Sequence, residues 1–120
     1  MEAMAQVSLV VPEDARRFLA STIGSAGGNE VFFLARVAWD GPQSAHLEEV
    51  EVLARGNRGA APAIIERAEE WDLAIHNHPS GDLTPSDADV SVTSELGNRG
   101  VGFAIIDNSA ARLNLTAGPF

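Results

Sequence analysis

No cysteine occurs among the 120 residues, so the chain can form no disulfide and offers no thiolate to a metal. That excludes a secretory scaffold stapled by disulfides. Basic residues are scarce as well, eight against seventeen acidic ones, for a net charge of −9. An acidic surface repels phosphate backbones, so direct nucleic-acid binding by this domain is not expected. Solubility is the simplest consequence of the charge. No apolar run approaches the ~20 residues that span a bilayer. The N-terminus shows no basic stretch leading into a sustained apolar core, as a signal peptide would. Together these absences read as a cytoplasmic protein with no membrane partner.

What is present is enough for one domain, 1–120. The length is near the commonest domain size, and 45% hydrophobic residues argue against disorder. Eleven glycines and six prolines suit many short connections. Gln6 to Val11 reads as a strand. Pro12 then opens a helix whose first turn carries Glu13 and Asp14, with Ala15, Phe18, Leu19, Thr22 and Ile23 as its buried face. Glu30 to Trp39 and His46 to Ala54 are strands, the second with Val50 and Val52 alternating against Glu49, Glu51 and Leu53. His46, alone at a strand start, reads as a surface residue. Pro62 opens a second helix with Ala61, Ile64, Ile65, Ala68 and Trp71 as its stripe. Leu73 to His76 is a short buried strand. Ser86 opens a third helix with Val90, Thr93 and Leu96 inward, ending at Gly97 and Gly100. Val101 to Ile106 is a central strand, and Ala111 to Leu115 pairs back on it across Asp107-Asn108-Ser109. Strands and helices therefore interleave, which predicts an α/β (α+β) fold: one mixed, curved sheet flanked by helices.

The densest chemistry lies in His76-Asn77-His78-Pro79-Ser80-Gly81-Asp82-Leu83-Thr84-Pro85-Ser86-Asp87-Ala88-Asp89. Histidines one residue apart at the end of a strand project to the same side. Their nitrogens can converge on a point about 2 Å from each, as zinc requires. Ser86 as N-cap puts Asp89 at N3, one face of the first turn, so Asp89 is the best-placed third ligand. A fourth position is then left for water, which marks a catalytic zinc rather than a structural one. Neutral imidazole with carboxylate suits Zn²⁺ better than Mg²⁺ or Ca²⁺.

His-x-His, seven residues, Ser, two residues, Asp resembles the metal-binding signature of the JAMM (MPN/JAB) metalloprotease family. The wording His-Asn-His-Pro-Ser-Gly-Asp-x-x-Pro-Ser-x-x-Asp is most similar to its RadC-like bacterial branch, whereas eukaryotic deubiquitinases of the family usually carry Ser or Thr between the histidines. The resemblance runs from Val7 to about Leu115. It implies a cytidine-deaminase-like α/β arrangement, a zinc cofactor on His76, His78 and Asp89, and a catalytic glutamate on an early strand, where Glu30 stands. Glu30 would move the water's proton to the leaving amine, and Ser86 would hydrogen-bond the oxyanion. Glu48, Glu49 and Glu51 compete for the first role, but their alternation reads more simply as a solvated face.

Two functions follow as expectations. One is a zinc metallopeptidase or isopeptidase cleaving an amide in a peptide or protein, including a ubiquitin-like one. The other is a metal-stabilised interaction module that recruits, or is fused to, a DNA-processing enzyme such as a helicase. Only 46 positions separate Glu30 from His76, and core elements take them all, which leaves no room for the insertions by which deubiquitinases grip ubiquitin.

Overall fold

The computed structural model describes residues 8–27, 29–42, 44–55 and 72–117. In chain order the elements are β1 (Ser8–Val10), α1 (Glu13–Ser25), β2 (Val31–Gly41), β3 (Ser44–Arg55), β4 (Asp72–Asn77), α2 (Asp87–Gly97), β5 (Gly102–Ile106) and β6 (Leu113–Ala117). All six strands form one mixed sheet in the order β1-β3-β2-β4-β5-β6. β1 runs parallel to β3, and β4 parallel to β5; the β2–β3, β2–β4 and β5–β6 pairs are antiparallel. The helix expected from Pro62 lies outside the described residues, as do Gln6 and Val7 of the first expected strand. Among the described residues no helix is long and apolar enough to cross a membrane.

Strand alternation sorts the apolar residues onto two faces. Val31, Phe33, Ala35, Leu73, Ile75, Ala104 and Ile106 join Leu19 and Ile23 of α1 in one cluster. Phe32, Leu34, Ala74, Phe103 and Ile105 join Leu96 of α2 and Val101 in the other. Both faces of β4 and β5 are covered, so every residue of these strands is buried. Such strands read as continuous apolar runs. The same parity sends His76 to the α2 face and Asn77 to the opposite side.

Four expectations about packing need correction. Phe18 is 41% exposed and meets Phe33 only edge-on, so the buried face of α1 is Leu19, Thr22 and Ile23. Leu53, expected on the wet face of its strand, packs partly against the second cluster. Val90 is 54% exposed, and α2 turns Asp89, Val92 and Leu96 towards the sheet instead. The cause is a tertiary tether: the Asp89 carboxylate is held against both histidines, and its neighbour is rotated by about 100° around the helix. Finally, β5 is paired on both sides, but β2 and β4 hold the middle of the sheet.

Candidate metal centre

The antiparallel register of β2 and β4 sets Phe32 opposite His76. Glu30, two residues before Phe32, is thereby a diagonal neighbour of His76 on the same face. It precedes β2 rather than belonging to it, since the strand begins at Val31. His76 is 1% exposed, stacked on Phe32 with ring centroids 4.7 Å apart and tilted against Phe103 at 5.0 Å. His78 follows just beyond the strand, its ring edge-on to that of His76 at 4.9 Å. The loop after it turns at Gly81, where φ is +80° and a side chain would be strained, and Gly81 N–H donates to His78 O at 2.8 Å.

Ser86 caps α2 as expected. Its Oγ accepts from Asp89 N–H at 3.1 Å, and its own N–H donates to Asp89 Oδ2 at 2.9 Å, closing a capping box. This pins the Asp89 carboxylate at the positive end of the helix. Burial pushes that carboxyl's pKa up, but the Ser86 backbone N–H together with His76, His78 and the Ser86 hydroxyl holds it below its ordinary value. The cap uses a lone pair of Ser86 Oγ, so the O–H remains able to donate elsewhere.

The two histidines are oriented by their Nδ1 atoms. His76 Nδ1 lies 2.8 Å from Glu30 Oε2, and His78 Nδ1 lies 2.9 Å from the Asp82 backbone carbonyl. When Nε2 serves a metal, each neutral ring keeps its proton on Nδ1, directed at these acceptors, and presents the lone pair of Nε2. Those lone pairs face one carboxylate: His76 Nε2 is 3.0 Å from Asp89 Oδ1 and His78 Nε2 is 2.8 Å from Asp89 Oδ2. The first contact is close but is not a hydrogen bond, and His76 Nε2 is a buried nitrogen with no such partner. Burial drives the His76 pKa below its ordinary value, although Asp89 and Glu30 pull the other way, so a second proton on this ring is disfavoured. Two imidazole nitrogens and a carboxylate converging this closely need a positive charge among them, either a ring proton, as on His78 Nε2 against Asp89 Oδ2, or a metal. The donor set therefore fits a divalent metal.

Glu30 supplies a second way of counting donors. One ligand atom each from Glu30, His76 and His78 lie within 4.8 Å of one another, so these three are also a candidate triad. Glu30 accepts from His76 Nδ1 through Oε2, which leaves Oε1 for a metal or a proton. A cleft of about 480 Å³ opens beside the group, lined by Glu30, Phe32, His78, Ser86, Asp89 and Phe103 among others. A larger recess of about 570 Å³ lies around Arg36, Glu49, Glu51 and Asp72 and holds none of these residues. Glu49 and Glu51 are thus remote from the histidines, while Glu30 is brought to them. His46 pairs with Asp40 at 2.8 Å on the surface, as its isolation suggested.

Sequence reasoning assigned no role to Asn77 or Asn108. Asn77 is fully buried at the end of β4 with every polar group of its side chain engaged, and Asn108 links it to Pro79 in the loop after the histidines. The available signal was an amide in a strand with both faces covered, where an unpaired polar group is costly.

A family model for the RadC-like JAB domain matches residues 11–107. A UPF0758 protein of Caldanaerobacter subterraneus subsp. tengcongensis is 46% identical over 48 residues, 38% of this chain and 21% of the relative. One from Rhodobacter capsulatus is 41% identical over 54 residues, 38% of this chain and 25% of the relative, and one from Finegoldia magna 41% over 46 residues. The matched segments thus span only a fifth to a quarter of these relatives. With the family model covering most of the sequence and the paired histidines seated at the end of an inner strand, the chain belongs to the RadC-like JAB domain family.

Proposed function

We propose that this domain is a zinc-dependent hydrolase of amide bonds, a cytoplasmic peptidase or isopeptidase acting on a peptide or protein. The supporting observation is the opposition of His76 Nε2 and His78 Nε2 to the single carboxylate of Asp89. Zinc, when bound by His76, His78 and Asp89, supplies Lewis acidity and lowers the pKa of a water. Glu30 would take a proton from the attacking water and pass it to the leaving amine; its position beside the cleft suits both transfers. Ser86 donates its free O–H to the oxyanion. Among the described residues lining the cleft none is arginine or lysine, so a phosphoester would find no cationic side chain there beyond the metal itself.

The test is elemental analysis of protein purified without added metal, followed by cleavage of a peptide and isopeptide library. Cleavage should stop on chelation and return with zinc. Zinc-loaded protein that cleaves nothing in the library would overturn the hydrolase reading in favour of a metal-stabilised interaction module.

Ser86→Ala separates two roles for one residue. It should keep zinc, lower turnover by ~10²-fold or more, and cost about 1 kcal/mol of stability through the lost cap. A lower melting temperature with unchanged turnover would leave Ser86 as a cap only.

A further inference from the structure

We infer that Asn77 is a positioning residue for Glu30, acting through the backbone on both sides of it; the catalytic part of this inference rests on the hydrolase reading above. The residue between the two histidines points away from the metal centre, because side chains alternate along β4. Its amide nonetheless reaches the segment that carries Glu30. Asn77 Oδ1 accepts from Val31 N–H at 2.8 Å, and Asn77 Nδ2 donates to Asn29 O at 3.2 Å. Asn29 and Val31 are the neighbours of Glu30, so one side chain clips the chain immediately before and immediately after it.

The clip is itself anchored. Asn77 Nδ2 also donates to Asn108 Oδ1 at 2.9 Å, and Asn108 Nδ2 donates to Pro79 O at 3.1 Å. Backbone groups at Val31, Asn29 and Pro79 fix the direction of every bond in this chain, so neither amide can flip without losing partners. Asn108 comes from the turn between β5 and β6. The network therefore ties three separate segments: the one bearing Glu30, the strand end and following loop that bear both histidines, and the turn between β5 and β6.

This arrangement answers a mechanical problem. Glu30 lies just outside β2, whose first residue is Val31, at the end of the ladder rather than within it. A proton-transfer group must stay within hydrogen-bond reach of its target, and a displacement near 1 Å can cost ~10²-fold in rate. The buried amide adds a constraint at that end, on the residue before Glu30 and on the residue after it.

Asn77→Asp keeps the acceptor for Val31 N–H but sets a carboxylate against the Asn29 carbonyl and Asn108 Oδ1. Zinc stoichiometry and KM should be retained while kcat falls by ~10–100-fold, the usual scale for an orienting hydrogen bond at a metal site. Independently of activity, the Nδ1–H resonance of His76, hydrogen-bonded to Glu30, should shift or broaden in spectra of ¹⁵N-histidine-labelled protein. Asn108→Ala, at a less buried position, should move the same resonance in a smaller degree if Asn77→Asp does not fold. Asn114→Ala is the control: Asn114 Nδ2 donates to Leu83 O at 2.9 Å, which touches the loop but not Glu30, and the resonance should stay in place. An unchanged His76 resonance in a folded Asn77→Asp or Asn108→Ala protein would overturn the inference. A wild type that cleaves no amide would defeat the hydrolase reading alone, because the resonance still decides the clip.

Discussion

Zinc should disappear from the protein when His76 and His78 are both changed to alanine. The wild type is expected to hold about one equivalent, with two of its three protein ligands being these imidazoles. Removing both should weaken binding by more than the ~10–100-fold that follows loss of a single outer hydrogen bond at such sites. His76 is fully buried between Phe32 and Phe103, so its truncation also opens a cavity. His78→Ala alone, at a half-buried position, is therefore the companion variant, and circular dichroism confirms that each is folded. Unchanged zinc content in the folded double variant would dismiss the site. A pH dependence accompanies this result. The pKa of His76 is lowered from 6.5 in the folded chain, chiefly by burial. An unfolded chain thus takes up a proton at residue 76 that the folded one refuses. The stability tied to this group is fully present above about pH 6.5 and is lost as the pH falls towards the folded value. The melting temperature of metal-free wild type should decline through that window, and the part due to residue 76 should be absent from the double variant.

How much of this was legible without coordinates depends on whether a local rule or a tertiary contact decided the outcome. The capping box of Ser86 and Asp89 is local, a matter of residue types three apart, and the structure contains it as the sequence implies. The projection of His76 and His78 to one side follows from strand periodicity, and both reach Asp89. The face of α2 was not local. Periodicity favoured Val90, but the tether of Asp89 sets the helix rotation and leaves Val90 in solvent. β6 begins at Leu113, two residues later than its apolar pattern suggests, because Asp107 Oδ1 accepts from the N–H groups of Ala111 and Arg112 and lengthens the turn. Asn77 was the instructive omission. Its identity between two histidines looked incidental, and only the pairing of β2 beside β4 brings Asn29 and Val31 to its amide.

Changing Glu30 to Gln should reduce turnover by ~10²–10⁴-fold, the range for a general acid–base group, while leaving zinc content and fold intact. The geometry makes this substitution unusually informative, because Glu30 stands in three possible relations to the metal centre. As an orienting group it accepts a proton from His76 Nδ1, with Oε2 at 2.8 Å. A glutamine carbonyl can accept the same hydrogen bond, so orientation survives the change. As a ligand it would belong with His76 and His78, whose donor atoms lie within 4.8 Å of its own. Zinc content would then fall in the variant, since a neutral amide is a poorer partner than a carboxylate. As the proton-transfer group it needs a basic oxygen facing the cleft, which glutamine lacks, so zinc and KM stay while kcat collapses. Glu49→Gln and Glu51→Gln, both exposed on β3 around the other recess, control for the loss of one negative charge and should leave the rate unchanged. Wild-type kinetics in Glu30→Gln would place the base elsewhere. A proportional loss of zinc would exchange Glu30's assigned role for that of a ligand and leave Asp89 as the carboxylate to be tested next.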